Sequence, residues 1–569
     1  MEHAKLDQKF VDQIKMGWTV FLLCLAPVLF ENCIGASSLL QTTNNFEKLK
    51  IRDGLIRGTV EKTIGNGTKY YRFLGIPYAE PPVGDLRFEP PRQNRKWSGV
   101  LNATTDASQC VQGTQSAEGS EDCLYINVYT PNLQGNLSVM VWIYGGAFIN
   151  GNSSYENYPP DFFLDHNVVF VSFNYRLGIF GFLSTGDLVA PGNAALKDQQ
   201  LALNWVQENI KYFGGDPKKV TIFGESAGAV AVSYQLQSTR SRGLFRSAIM
   251  QSGNTLCLWA LNRRAREIAF NTGRLLDINT SNSSVLVEGL KKVNYSTLHQ
   301  FSLLVATVIT LKNPLAGIMY SPVMEPCHEG AFFCNRSDDL LKNGEYYRVP
   351  VIIGVNSNEG VVAKDLPALF RLYLIKYDID YKSLAPADLT SSSSNKSSAA
   401  IDVRFHYFGV FSIALQENAI VKFISDDQFN RPTRRTVLNM AKYSPVYFYV
   451  FSYKGLLGDG TEGVKGVGHG EDLGYLFSNT NNTERTDDQI VRTRLITLWT
   501  NFAKYGNPTP RNDNYLQNVR WQTASSDSSN LTYLNISDDL RNEVNPFDNN
   551  MKFYDTVYRK YGSGSYDTY

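Results

Sequence analysis

The chain has 569 residues, of which 43% are hydrophobic and 19% charged. It is therefore long enough to bury a large core and to form either one unusually large α/β domain or two of ordinary size. Its 55 Lys and Arg residues nearly balance its 54 Asp and Glu residues. Proteins that bind nucleic acids or anionic membranes usually carry concentrated basic charge, and this balance gives no sign of either partner class.

The N-terminus has the pattern of a secretory signal. Lysines precede an apolar run over 17–30, GWTVFLLCLAPVLF, and small residues follow it at 35–37. The run is shorter than a typical membrane span, so a signal peptide over 1–36 is favoured over an N-terminal membrane anchor. Met16, just before the run, is an alternative start of translation. The mature chain is therefore expected to begin near residue 37, with no stable membrane anchor.

Short apolar runs, rich in β-branched and aromatic residues, predict a series of strands. In chain order they are 138–144, 168–175, 219–224, 247–253, 349–356 and 445–453. Most lack alternation of polar and apolar residues, as expected for strands that are covered on both faces.

Helical patterns accompany these strands. Apolar residues recur at helical spacing in 196–217 until Gly214 ends the pattern, and the segment 493–510 shows the same pattern. Strands that alternate with helices predict an α/β fold with a mostly parallel, doubly wound sheet and helices on both faces. The low-complexity segment SSSSNKSSAA, 391–400, is interpreted as an exposed loop.

N-linked glycosylation sequons recur along the chain. Single sequons arise by chance in a chain rich in Asn and Ser, but their density fits a secreted surface that carries glycans. They lie at Asn66, Asn102, Asn136, Asn152, Asn279, Asn282, Asn294, Asn335, Asn395, Asn481, Asn530 and Asn535.

Five cysteines follow the predicted signal peptide, and their odd number leaves at least one thiol free or paired between chains. Cys110 and Cys123 bracket a polar loop rich in Gly and Ser and form the best candidate pair. A Cys327–Cys334 pair is weaker. The pairing of Cys257, Cys327 and Cys334 therefore stays open.

The segment TIFGESAGAV, 221–230, carries the strongest candidate for a catalytic residue. In GESAG, Ser226 stands at the centre of the G-x-S-x-G spacing, which places a serine in a sharp turn from strand to helix. The pentapeptide also recurs by chance in long chains, so a tight turn without catalysis is the alternative. A nucleophilic serine further needs a base, an acid that orients the base, and oxyanion donors.

Candidate oxyanion donors follow the predicted strand 138–144. Glycines there leave backbone N–H groups accessible, so the amides of Gly146 and Ala147, with that of Ala227, are a three-donor candidate. A flexible Gly-Gly loop is the alternative. The position of the loop after a buried strand, upstream of the serine, favours the oxyanion role.

The order Ser–acid–His is expected for this fold, so the base is sought after the serine. His469 lies in a glycine-flanked loop that follows the predicted strand 445–453. An imidazole there can reach over the edge of the sheet. Ordinary core or surface roles are assigned to His299, His328 and His406.

The candidate acid is Glu359, in the segment NSNEG just after the predicted strand 349–356. Its position at a carboxyl end of a strand suits the role. A solvated loop carboxylate is an equal alternative on spacing alone.

Together these motifs resemble those of the type-B carboxylesterases, the cholinesterase-like branch of the α/β-hydrolases. The resemblance rests on EDCLYINVYTP at 121–131, GGAF, FGESAGA, QSG at 251–253, NSNEG and GHGEDLGYLF. It extends from about Arg57 to Tyr505, nearly the whole mature chain, and is greatest to secreted insect esterases of broad specificity.

The resemblance implies one α/β-hydrolase domain over 37–569 that hydrolyses small-molecule esters without a metal or cofactor. It implies a Cys110–Cys123 disulfide. The site residues that it implies are Ser226 as nucleophile, Glu359 as orienting acid, His469 as general base, and Gly146, Ala147 and Ala227 as the oxyanion hole.

Differences from the cholinesterase motifs narrow the range of expected substrates. The loop between Cys110 and Cys123 contains no Trp, whereas cholinesterases have a choline-binding Trp there. Val362 and Ala363 stand after Glu359 where cholinesterases carry aromatic residues. Without these aromatic rings the site lacks a cation–π cage for quaternary ammonium, so cholinesterase activity is not expected.

Two further residues bear on the substrate. Glu225 precedes the nucleophile, where juvenile hormone esterases typically have Gln. Trp259 matches an aromatic residue of the family's acyl pocket and is expected to favour short acyl groups, with an ordinary core role as the alternative.

The predicted function is that of a secreted serine carboxylesterase with a Ser-Glu-His triad. The alternatives are a juvenile hormone, pheromone or odorant esterase, and a non-catalytic adhesion protein of the same fold. Adhesion members commonly lack the serine or the histidine, which this chain retains.

Overall fold

The computed structural model describes residues 46–312, 315, 317–318, 320–363, 375, 377–458, 465–477 and 485–564. The predicted signal peptide over 1–36 and the sequon at Asn481 lie outside these residues. A thirteen-stranded sheet organises the described chain. Its strands are β1 Phe46–Lys50, β2 Leu55–Lys62, β3 Lys69–Pro77, β4 Val100–Asn102, β5 Tyr125–Thr130, β6 Leu137–Ile143, β7 Val169–Phe173, β8 Gly215–Glu225, β9 Ser247–Gln251, β10 Val351–Asn356, β11 Val446–Phe451, β12 Thr532–Ile536 and β13 Leu540–Val544.

The sheet is parallel in its centre and antiparallel at both sides. The strand order is β1-β2-β3-β5-β7-β6-β8-β9-β10-β11-β12-β13, and β4 pairs with β2. Every neighbouring pair from β7 to β12 is parallel. Along this order, the pairs from β1 to β7 and the β12–β13 pair are antiparallel, whereas the additional β2–β4 pair is parallel. The predicted α/β fold with a mostly parallel sheet is confirmed.

Helices connect the parallel strands. One continuous helical run over 417–440 includes a π-helical segment, Ser425–Asn430. The α-helices of the described residues are α1 Asp161–Asp165, α2 Gly178–Phe182, α3 Ala194–Asn209, α4 Ala227–Gln237, α5 Ala265–Leu275, α6 Ser283–Lys292, α7 Tyr295–Leu311, α8 Ser337–Asn343, α9 Ser393–Tyr407, α10 Glu417–Ile424, α11 Arg431–Met440, α12 Gly474–Phe477, α13 Thr486–Tyr505 and α14 Asp548–Tyr561.

The six predicted strands correspond to β6 through β11. Every residue of β7, β9, β10 and β11 is buried, so side chains on both faces of these strands are covered. This burial explains why their sequences are continuous apolar runs rather than alternating ones.

Both predicted helices form, and glycine ends each of them. The segment 196–217 contains most of α3 and a 3₁₀ turn over Ile210–Phe213, after which Gly214 has a φ of +76°. The segment 493–510 contains most of α13, which ends at Gly506 with a φ of +67°. Glycine reaches this left-handed conformation without the penalty that a Cβ imposes.

The interpretation of 391–400 as an exposed loop is wrong, because most of this segment forms the first part of α9. The Ser392 side chain accepts a hydrogen bond from the Asn395 amide and caps the helix. Ala399 and Ala400 are fully buried. A cap and two small residues that pack inward outweigh the loop-like composition.

The cysteines of the described residues form two disulfides. Cys110 pairs with Cys123, and Cys327 with Cys334. Cys257 is a buried free thiol. In the described part of the chain, no helix is both long and apolar enough to cross a membrane.

Candidate active site

Ser226 occupies the turn between β8 and α4. Its φ of +55° and ψ of −124° form a conformation that non-glycine residues rarely adopt. Strand β6 passes so close to this turn that only glycine fits on either side. A Cβ on Gly224 would lie 2.5 Å from the carbonyl oxygen of Ile143, and a Cβ on Gly228 would collide with the same oxygen.

The three residues of the predicted triad meet in the structure. The Oγ of Ser226 lies 2.8 Å from Nε2 of His469. The Nδ1 of His469 lies 2.7 Å from Oε2 of Glu359. Both are hydrogen-bond distances, so a continuous chain of polar groups runs from the hydroxyl to the carboxylate.

Asn356, at the end of β10, connects the loop of Glu359 with the loop of His469. Its backbone N–H donates to Oε1 of Glu359 at 2.6 Å. Its side-chain Nδ2 donates to the carbonyl oxygen of Gly468 at 2.7 Å. Because His469 directly follows Gly468, one residue positions both partners of the serine.

A buried carboxylate, Asp472, lies behind this arrangement. It accepts hydrogen bonds from Nε2 of Gln251 at 2.7 Å and from Nδ2 of Asn356 at 3.1 Å. Trp499 donates in turn to Oε1 of Gln251 at 3.0 Å. These residues were not predicted from the sequence. The sequence signal that could have identified two of them is a polar residue at the last position of a buried strand. These residues are Gln251 in β9 and Asn356 in β10.

The electrostatics of the site depend on Glu225, which is buried beside the imidazole. Its Oε1 lies 3.2 Å from Nε2 of His469. Burial raises the pKa of the Glu225 carboxyl to about 8. Burial disfavours the His469 imidazolium, but the carboxylates of Glu225 and Glu359 outweigh it and raise the pKa of His469 to about 9. A proton on either member of this coupled pair is therefore stabilised near neutral pH.

The predicted oxyanion loop lies directly against the serine. A Cβ on Gly145 would lie 2.8 Å from the carbonyl oxygen of Glu225 and 3.1 Å from the Cβ of Ser226. In the part of the chain that the structure describes, the N–H groups of Gly146 and Ala147 donate to no protein acceptor. Ala227 is the first residue of α4, so its N–H has no partner within the helix. Three amides are thus available near the Ser226 side chain.

Trp259 belongs to a row of aromatic side chains that extends to His469. The Trp259 and Phe429 rings lie 5.7 Å apart, and the Phe429 and His469 rings lie 5.0 Å apart. Trp259 is 8% exposed and Phe429 5% exposed. Trp259 was a candidate from the sequence, whereas Phe429, which lies 170 positions further along the chain, was not.

The other histidines after the serine bond or stack outside this site. His299 bonds to the carbonyl of Gly113, His328 to that of Pro326, and His406 stacks on Phe553. Within the described ranges, no three His, Cys, Asp or Glu side chains are grouped as ligands for a metal ion.

The chain is similar to known proteins over most of its length. The model of the Carboxylesterase family matches residues 45–554. Venom carboxylesterase-6 of Apis mellifera is 35% identical over 549 residues, which cover 90% of this chain and 94% of the relative. Juvenile hormone esterase of Tribolium castaneum is 35% identical over 513 residues, which cover 83% and 84%.

A solved structure agrees in fold over most of the chain. It is the crystal structure of juvenile hormone esterase from Manduca sexta with OTFP covalently attached. The TM-score is 0.80 at 26% sequence identity, and the match covers 90% of this chain and 100% of that one. The chain therefore belongs to the carboxylesterase family and is a carboxylic ester hydrolase with the α/β-hydrolase fold.

Proposed function

We propose that this protein is a secreted serine carboxylesterase that works through an acyl-enzyme. The observation that carries the proposal is the hydrogen-bonded chain Ser226–His469–Glu359, with distances of 2.8 and 2.7 Å. The same three roles are expected from the resemblance to the type-B carboxylesterases.

In the first half of the reaction, Oγ of Ser226 attacks the ester carbonyl while Nε2 of His469 takes the hydroxyl proton. Glu359 accepts a hydrogen bond from Nδ1, which fixes the tautomer and stabilises the imidazolium that forms. The amides of Gly146, Ala147 and Ala227 donate to the developing oxyanion. His469 then returns the proton to the leaving alcohol.

In the second half, water replaces the alcohol. His469 takes a proton from the water as it attacks the acyl-enzyme carbonyl, and the same three amides stabilise the second oxyanion. Collapse of this intermediate releases the carboxylic acid and returns the proton to Ser226. These steps use only side-chain and backbone groups of this chain and water.

The proposed substrates are uncharged esters with a short acyl group. Trp259 and Phe429 supply apolar surface beside His469. A juvenile hormone esterase is the second candidate, because relatives that carry this name match 83% and 90% of the chain. Glu225 in place of Gln before the nucleophile favours a carboxylesterase of broad specificity.

The proposed compartment is extracellular. A signal peptide over 1–36 would direct the chain to the secretory pathway, where the single domain over 37–569 would receive N-linked glycans. Two disulfides support an oxidising compartment. No nucleic acid or stable membrane anchor is part of the proposal.

The test is a hydrolysis panel with the purified secreted enzyme. It varies the acyl length at a constant alcohol and the alcohol length at a constant acyl group, and it includes juvenile hormone. We expect the highest kcat/KM with short acyl esters. A preference for juvenile hormone over every simple ester would favour the second candidate, and hydrolysis of none of the esters would exclude both.

A further inference from the structure

Large apolar side chains are exposed in the turn between α9 and α10. This turn, residues 408–416, carries Val410, Phe411 and Leu415, which are 76%, 72% and 85% exposed. Single exposed apolar residues are ordinary on a protein surface, whereas a group of them marks a surface that contacts another molecule or a lipid phase.

Neighbouring segments extend this group. Ile401 and Phe405 are four positions apart on α9, so they lie on one face of the helix, and both are exposed. Ile379 is also exposed and follows Asp378, whose carboxylate forms a 3.2 Å ion pair with Arg404 of α9. The ion pair therefore joins the segment of Ile379 to α9. The apolar patch consists of Ile379, Ile401, Phe405, Val410, Phe411 and Leu415.

Hydrogen bonds fix the conformation of the turn. The Asp378 carboxylate accepts from the N–H of Ile413 at 2.8 Å and from the hydroxyl of Ser412 at 2.7 Å. The side-chain amide of Gln416 donates to the carbonyl oxygens of Phe408 and Ser412 at 3.0 and 3.2 Å. Ile413 is buried in the core. The turn thus directs one apolar side chain inward and presents the others to the outside.

The turn leads directly into α10, which packs against the residues that follow the acid of the triad. Val421 of α10 and Val361 are buried against each other. Just after α10, the hydroxyl of Ser425 accepts a hydrogen bond from the N–H of Gly360 at 2.8 Å. Gly360 directly follows Glu359. One short helix therefore separates the apolar patch from the turn that carries Glu359.

The apolar patch has no charge of its own. Residues 405–416 include no Lys, Arg, Asp or Glu. His406 bonds to Asn550 of α14, and Asp378 and Arg404 pair with each other. Anionic membranes attract clusters of basic residues, which this segment lacks. A zwitterionic lipid surface suits an uncharged patch, because apolar side chains alone can insert at its boundary.

The shape of the patch also favours lipid over a second copy of this chain. Side chains as exposed as Val410, Phe411 and Leu415 project from the surface. A two-fold symmetric dimer would place the same projection on both partners, and two facing projections leave gaps that a well-packed interface does not have. Fluid lipid surrounds a projecting side chain without a complementary shape.

We propose that the apolar patch is a reversible docking surface for zwitterionic lipid, into which Val410, Phe411 and Leu415 insert. The proposal goes beyond the proposed function, because docking does not depend on catalysis. Docking places the enzyme where uncharged esters concentrate, since apolar solutes leave water for lipid. Insertion of a few side chains gives weak and reversible binding rather than a stable anchor.

Sedimentation of the full-length enzyme with phosphatidylcholine vesicles tests the proposal. The double variant Phe411→Ser/Leu415→Ser is compared with the control Leu188→Ser/Leu456→Ser. Leu188 and Leu456 are 64% and 65% exposed but lie outside the apolar patch. Active sites are counted by titration with a fluorophosphonate, and turnover of p-nitrophenyl acetate per site shows whether each variant is folded.

We expect the wild type to bind the vesicles and Phe411→Ser/Leu415→Ser to lower the partition coefficient at least about tenfold, because two large apolar side chains no longer leave water. The control should stay within about twofold of wild type. Both variants should hydrolyse p-nitrophenyl acetate like the wild type. Raising the salt concentration to about 0.5 M should change binding little, since the patch uses no charge.

Three results would overturn the proposal. They are a wild type that does not bind phosphatidylcholine, equal binding by Phe411→Ser/Leu415→Ser, and binding that requires phosphatidylserine. A concentration-dependent dimer in sedimentation velocity, lost only in Phe411→Ser/Leu415→Ser, would assign the patch to a second copy instead. None of these results affects the proposed function. That function fails if the wild type neither reacts with the fluorophosphonate nor hydrolyses esters.

Discussion

One imidazole is surrounded by three buried carboxyl groups, and each has a different relation to it. Glu359 accepts the hydrogen bond from Nδ1 of His469, and Asp472 bonds to the amides of Gln251 and Asn356. Glu225 Oε1 lies 3.2 Å from Nε2 without a hydrogen bond in the described part of the chain. Glu225 therefore acts on the base through charge alone.

This relation predicts the pH dependence of Glu225→Gln. His469 must be neutral to accept a proton, so kcat/KM rises as the pH increases through the pKa of His469. The Glu225 carboxylate raises this pKa, and its removal lowers it. We expect the acid limb of the kcat/KM profile to move down by about one pH unit. An acid limb at the same pH as in wild type would show that Glu225 has no electrostatic effect on the base.

A second prediction concerns the proposed oxyanion donor Gly146. Gly146→Asp sets a carboxylate against the developing oxyanion, so turnover should fall by more than the roughly hundred- to thousandfold loss typical of one missing donor. Gly146→Ala is the control, because a Cβ at this φ of +97° already collides with the Asn150 carbonyl. Turnover per titrated site should be lower with Asp than with Ala. Near-normal turnover with Asp would exclude residue 146 from the oxyanion hole.

Among the elements, the buried central strands were the most predictable, and the antiparallel strands at the sides were missed. Strands β6 to β11 are continuous apolar runs because helices cover both faces of the sheet. In contrast, β1 and β2 have partly exposed residues and are built from mixed sequences such as FEKLK and LIRGTVEK. Their strand conformation depends on pairing with one another and with β3. The local sequence does not indicate this pairing.

Arg431, in helix α11, forms buried ion pairs and also packs against the C-terminal helix α14. Arg431 contacts Asp388 at 2.9 Å and Asp427 at 3.3 Å, and its guanidinium lies over the rings of Tyr554 and Tyr558 in α14. Arg431→Met leaves two buried carboxylates without their cation. The free energy of unfolding should fall by about 3–5 kcal/mol.

Arg434→Met is the matched control for this prediction. Arg434 also reaches from α11 to α14, but its partner Asp555 has a side chain that is 51% exposed. This change should cost less than about 1 kcal/mol. Urea unfolding of both variants measures the difference, and equal losses would contradict a specific role for the buried pair.

Over the whole molecule, the fold leaves some sequon asparagines exposed and holds the side-chain amides of others in hydrogen bonds. Asn66 is exposed in the turn between β2 and β3. Asn535 lies within β12, where its Nδ2 donates to Glu543 at 3.0 Å and its Oδ1 accepts from Ser452. Glycopeptide mapping of the enzyme expressed through a secretory pathway should find a glycan on Asn66 and none on Asn535. A folded, active enzyme glycosylated on Asn535 would contradict the position of that strand.

The candidate triad could be predicted because its residues follow buried strands in the order expected for this fold, in motifs that resemble a known family. The residues that support it could not. The contacts of Asn356 with Gly468, of Asp472 with Gln251 and of Phe429 with Trp259 each join residues more than 100 positions apart. Such contacts depend on the three-dimensional arrangement of strands and loops rather than on local spacing.

The central claim is that Ser226 is the nucleophile, and Ser226→Ala tests it most directly. Ser252→Ala is the control, because Ser252 has a similar φ of +57° but is fully buried, and its Oγ has no hydrogen-bond partner in the described part of the chain. The measurement is ester turnover per folded molecule, with the covalent fluorophosphonate adduct followed by intact mass. We expect Ser226→Ala to lose about a millionfold in turnover and to form no adduct, while Ser252→Ala keeps both. More than about a hundredth of wild-type turnover in folded Ser226→Ala would contradict the claim, since binding and the oxyanion hole alone leave far less.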